Sequence, residues 1–249
     1  MSIKRRSLLI SNPGVEGSED YAVGTLADVQ NLKKLLLSPM GGFWKEDEII
    51  IRNKPSKLEL LGLIGTLKNV DYALVLFSGH GAYSATLNDT ILELNEREEI
   101  NSKELRQGAL KQSLILDCCR VITQEVILAK ILEASKRLTQ SFNPADCRLY
   151  YDKRIEECPK SLTVLYSCDI DETSGDTSKG GVFTYNLIES SREWISQKNT
   201  DTSKAFAILS IVSAFENTER IVKEISGNRQ NPRMEKPREG PYFPFCIIA

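Results

Sequence analysis

One histidine serves this whole chain, and it stands in LVLFSGHGAYS, between Gly79 and Gly81, where an apolar run breaks off. A second apolar run, SLILD, ends in Asp117-Cys118-Cys119-Arg120, and a third, LTVLYS, ends in Cys168-Asp169-Ile170-Asp171. A free thiol ionises near pH 8.5, roughly, so at neutral pH it is a weak nucleophile until an imidazole takes its proton or steadies the thiolate. The tetrahedral intermediate of an acyl transfer then needs backbone N–H donors. A glycine beside the imidazole lets the main chain approach closely enough to supply one. His80, Gly81 and a cysteine of the 118–119 pair are therefore the parts of acyl-transfer chemistry, provided that the strand ends meet.

A parallel sheet would make them meet. Ligands and reactive groups gather beyond the carboxyl ends of parallel strands, and the sequence alternates short apolar runs with helical patterns. Residues 7–11, 48–52, 71–78, 113–117 and 162–167 read as strands, with 243–248 closing the chain. The run at 71–78 is apolar almost without interruption, as in a strand covered on both faces. Leu26, Val29, Leu32, Leu35 and Leu36 mark a helix over 25–37, and Ser56 with Glu59 starts another through a capping box. Helices are also expected over 101–108, 124–138, 183–196 and 203–225. The stretches 139–160 and 226–241 carry no clean period and read as loops. β-α-β alternation without a break points to an α/β fold as a single domain over 1–249, a mainly parallel sheet between two layers of helices.

Composition narrows the function classes. The formal net charge is −2, which argues against a dedicated nucleic-acid binder. The apolar run after the basic start is too short for a signal-peptide core and no run is long enough for a membrane span, so a cytoplasmic protein is expected. The six cysteines form no Cys-x-x-Cys pair and, with one histidine, no zinc pattern; they are expected as free thiols. No glycine-rich phosphate loop appears.

LVLFSGHG followed by LILDCCR resembles the His-Gly and Asp-x-Cys motifs of the caspase-like cysteine peptidases, on the metacaspase and paracaspase side. The likeness continues through LADVQNLKKLL, LYSCDIDETSGD, GGVFTYNLIE and FPFCII. It implies a caspase-like three-layer fold with a mainly parallel six-stranded sheet, and a cysteine endopeptidase with His80 as base and Cys119, two residues past Asp117, as nucleophile. It also implies an oxyanion hole from the main-chain N–H groups of Gly81 and Cys119. Asp117 and Asp169 match the acids of the metacaspase specificity pocket, which implies cleavage of proteins or peptides after Arg or Lys. Two departures touch fine specificity: the cysteine motif continues as Arg120-Val121, and the usual Gln-Thr is Glu172-Thr173.

The family likeness further implies no required cofactor, a role in defence or cell death, and activation by a separate protein or by proteolysis. Calcium at Asp169, Asp171, Glu172 and Asp176 is the exception to weigh; the spacing is not that of an EF-hand, and a solvated loop is favoured. Arg148, Lys153, Arg154 and Lys160 offer self-cleavage sites, in balance with an ordinary charged loop. The rival reading is a catalytically silent caspase-like scaffold, against which the paired His80 and Cys119 argue.

Overall fold

The computed structural model describes residues 3–121, 142–198 and 206–249. In chain order the elements are β1 (Arg5–Asn12), α1 (Gly24–Leu37), β2 (Ile49–Asn53), α2 (Lys57–Leu67) and β3 (Tyr72–Gly79). A meander of β4 (Gly81–Ser84), β5 (Asp89–Glu93) and β6 (Glu99–Asn101) follows, then α3 (Ser102–Leu105) and β7 (Gln112–Asp117). After these come α4 (Pro144–Glu157), β8 (Leu162–Tyr166), the short pair β9 (Asp176–Thr177) and β10 (Gly180–Gly181), and α5 (Val182–Lys198). The chain closes with β11 (Ala207–Ser210), α6 (Ile211–Ser226), β12 (Arg233–Glu235) and β13 (Pro244–Ile248).

The main sheet has six strands in the order β12-β8-β7-β3-β1-β2. All neighbours are parallel except β12, which runs antiparallel to β8. Alternation along the strands divides the core. Leu9, Leu74, Leu76, Ile115 and Leu165 face one side, against α1, α4, α5 and α6. Leu8, Ala73, Val75, Phe77 and Leu116 face the other, against α2, α3 and the β5–β6 hairpin. Residues 72–77 of β3 are fully buried, as expected of a central strand sandwiched between layers. The order of strand addition reverses between β1 and β3, where the chain steps outward to β2 and returns to the other side of β1; the loops leaving β1 and β3 therefore part there and leave a cleft.

The expected fold class is the observed one, with four local corrections. Residues 139–160 contain α4, not only loop: Asn143 accepts the Ala145 N–H at 3.0 Å, Pro144 takes the first turn, and Cys147, Tyr151 and Ile155 bury one face. Arg148, Lys153 and Arg154 thus lie on a helix and not on an open loop. The helix expected from 203 starts at Ile211, capped by Ser210, because residues 207–210 pair with β13. The polar 226–241 stretch supplies β12. At α2 only half of the capping box forms: Ser56 Oγ accepts the Glu59 N–H, while the Glu59 carboxylate turns to Arg52. The helix expected over 124–138 lies outside the described residues. No described helix is long and apolar enough to cross a membrane.

Candidate active site

His80 occupies the single residue between β3 and β4, held there by its two glycines. A Cβ on Gly79 would stand 2.7 Å from Asn12 O, and one on Gly81 would stand 2.9 Å from Ile91 O and 3.1 Å from Cys118 Sγ. Both backbones are pressed against neighbours that cannot swing away. Gly81→Ala is accordingly expected to cost about 1–3 kcal/mol by overpacking, read as a lower midpoint in thermal unfolding; an unchanged midpoint would mean that the hairpin yields.

The imidazole is partly exposed, and its Nε2 is enclosed without a hydrogen-bond partner among the described residues. It lies beside Gly14, whose φ of +83° suits the turn after β1; a Cβ there would reach to 2.8 Å from Nε2. The same turn is fixed by Asn12 Oδ1, which accepts the Gly14 N–H at 3.1 Å.

The two adjacent cysteines part company. Cys118 is buried under the sheet's end, and its N–H donates to Ser167 Oγ at 3.2 Å. Cys119 is partly exposed and faces a cleft of about 170 Å3, lined also by Glu19, Asp20, His80, Asp117 and Asp176. Its Sγ accepts the Ser174 N–H at 3.4 Å. Burial pushes this thiol up, the Ser174 N–H opposes that, and the carboxylates of Asp117 and Asp176 push it up further.

The cleft floor is acidic, but not with the pair expected. Asp117 is buried at the end of β7, where Oδ1 accepts the Ser174 hydroxyl at 2.6 Å and Oδ2 the Thr184 N–H at 3.0 Å. Asp169 does not line the cleft: it turns outward, and Arg233 Nε donates to its Oδ2 at 2.7 Å. Asp117's companion is Asp28 of α1, which is 1% exposed. Asp28 accepts the Ser78 hydroxyl at 2.7 Å and the Gly181 N–H at 3.0 Å. A Cβ on Gly181 would meet both acids, at 2.5 Å from Asp117 Oδ2 and 3.0 Å from Asp28 Oδ2. Burial and then the Asp117 charge raise Asp28 well above the ordinary aspartate range, so it keeps its proton where exposed aspartates have lost theirs.

Asp28 was readable as an acid on the same helical stripe as Leu32 and Leu35, a place where burial demands a purpose. Asp176, which accepts the Gly24 N–H, reaches the cleft rim from the 169–181 loop. The four acids considered for calcium do not converge: Asp169 pairs with Arg233, Glu172 binds Asn231, and Asp176 faces the cleft. Among the described residues no group of three potential ligands is placed to hold a metal ion.

The family model described as Caspase domain matches residues 4–240. No curated protein matches the chain. Among solved structures the chain is similar to caspase-1 from Spodoptera frugiperda, at 15% identity and a TM-score of 0.55, over 94% of this chain and 88% of that one. It is also similar to protein GSU0716 from Geobacter sulfurreducens, at 13% identity and a TM-score of 0.56, over 99% of this chain and 100% of that one. These likenesses concern the fold.

Proposed function

The chain belongs to the caspase-domain family, and from that premise we propose that it is a cysteine endopeptidase that cleaves proteins after arginine or lysine, with His80 as base and Cys119 as nucleophile. The observation that carries this reading is one cleft lined by the only histidine, the outward member of the cysteine pair, and a carboxylate backed by a second acid.

In this reading the substrate's cationic side chain enters beside Asp117 and Asp28, where buried charge must be met by opposite charge. Cys119 Sγ attacks the scissile carbonyl carbon as His80 takes the thiol proton. The oxyanion so formed is met by the main-chain N–H groups of Gly81 and Cys119. The C–N bond breaks, the amine leaves with the proton from His80, and a thioester remains. Water attacks the thioester, His80 again relays the proton, and carboxylate product and free thiol result. Because the resting thiol is pushed up rather than down, His80 acts as a general base during attack and not as the partner of a standing thiolate.

Fluorogenic peptides ending in Arg, Lys or Asp test the assignment. Cleavage after Arg and Lys alone is expected; cleavage after Asp alone would overturn the acidic-pocket reading. If no peptide is cut and an arginyl chloromethyl ketone leaves Cys119 unlabelled, the silent-scaffold reading takes its place.

A further inference from the structure

Gln230 stands between α6 and β12, 3% exposed, with its whole amide engaged. Oε1 accepts the Gly175 N–H at 3.1 Å, and Nε2 donates to Ser167 O at 2.9 Å and to Ser174 Oγ at 3.2 Å. Its own N–H donates to Ser226 Oγ at 3.1 Å, which fastens it to the end of α6. Burying a primary amide is costly unless it is paired in this way, so the site is built around it.

The residues that Gln230 grips are those that touch the nucleophile segment. Ser174 donates its hydroxyl to Asp117 Oδ1 at 2.6 Å and its N–H to Cys119 Sγ at 3.4 Å. Ser167 donates its hydroxyl to Cys118 O at 3.1 Å. One side chain from the C-terminal part of the chain thus ties together the end of β8, the 174–175 turn and the cysteine pair.

We propose that Gln230 is a positioning residue for the nucleophile: by holding Ser174 it fixes the N–H that meets Cys119 Sγ and thereby sets the reactivity of that thiol. An N–H donated to sulfur favours the charged form, and the Ser174 N–H is the influence that opposes burial at Cys119. The other groups facing the cleft beside Sγ are Asp117 on β7, Asp176 on β9, His80 after β3, and Glu19 and Asp20 on the loop after β1. The proposal rests on Cys119 being the nucleophile but not on turnover.

The test is alkylation of Cys119 by iodoacetamide as a function of pH, followed in the full chain by peptide mass mapping, with thermal unfolding as the check on folding. Gln230→Met keeps the volume and removes the amide. Alkylation at pH 7 is expected to slow about tenfold, with the profile moved to higher pH, since one unit of thiol pKa is about tenfold in thiolate. Gln230→Asn, one carbon too short to reach both partners, is expected to move the profile less in the same direction, and it carries the same criterion if the Met variant does not fold. On a Ser174→Ala background the Gln230 substitution should add less than about twofold, because the relay is already cut. A folded Gln230 variant with the wild-type profile overturns the proposal, as does full additivity with Ser174→Ala. A shifted profile in a protein that cuts no peptide and leaves the arginyl chloromethyl ketone unreacted would sink the peptidase reading and leave this one standing.

Discussion

Cys119→Ala is expected to abolish peptide hydrolysis, by about 10^4- to 10^6-fold in kcat, while Cys118→Ala keeps most of it. Loss of a nucleophile takes away the covalent path and leaves only what binding and backbone donors supply to water attack. Two thiols side by side make the register the issue, and the structure separates them by position. Cys119 opens to the cleft; Cys118 packs with Leu116 and Val75 in the core and lies against Gly81. The Cys118 substitution removes a small buried group, with an expected cost of about 1 kcal/mol in stability and little in chemistry. His80→Ala belongs with Cys119→Ala, since nothing else among the described cleft residues is an imidazole. The readout is kcat on an arginyl substrate together with the melting midpoint. Reversed outcomes for the two cysteines would place the nucleophile one residue earlier and remove the role given to the Ser174 N–H.

The second large effect lies in the pocket acids. Asp117→Asn should lower kcat/KM on arginyl and lysyl peptides by about 10^2- to 10^3-fold, as expected when a buried charge loses its partner; Asp28→Asn should lower it in the same direction but less, because Asp28 must give up a proton before it can meet the cation. Asp169→Asn should change it less than about threefold, because that carboxylate is spent on Arg233 outside the cleft. Asp28 adds a pH signature. Its folded carboxyl holds a proton above the ordinary aspartate value of 3.8, where the unfolded chain has lost it. The unfolded state then binds fewer protons than the folded one, so stability attributable to this group falls as pH rises above that value. Asp28→Asn should therefore raise the melting midpoint at pH 7, by roughly 2–4 °C for each kcal/mol recovered. The amide can still accept the Gly181 N–H and donate to Ser78 Oγ. A cation entering the pocket must displace that proton, so wild-type kcat/KM on arginyl peptides should climb with pH more steeply than the variant's. A large loss in Asp169→Asn, or none in Asp28→Asn, would return the pocket to the pair expected from sequence.

What was legible in the sequence was whatever a short window determines. Strands β1, β3, β7 and β8 announce themselves as apolar runs, and His80 and Cys119 stand at strand ends where parallel topology must bring them together. Asp117 shares that position. What failed depended on distance along the chain. Asp169 sits at a strand end too, but Arg233, from a strand that its own window cannot reveal, draws it outward. Asp28 lies within a helix and comes to stand behind Asp117 only because α1 packs against β1 and β3. Helix α4 was hidden by the charges on its open face, although Cys147, Tyr151 and Ile155 recur every fourth residue. Strand β12 is three residues long, with Met234 between two charged residues, and it exists because β8 offers an unpaired edge.

The late position of β12 and Gln230 bears on when the surroundings of Cys119 are complete. Synthesis runs from the N-terminus, so His80 and Cys119 leave the ribosome ahead of the amide that grips the nucleophile's surroundings. At about 5–20 residues per second, the delay is on the order of ten seconds. Through that interval the nascent chain carries His80 and Cys119 without the fastening between β8 and the 174–175 turn.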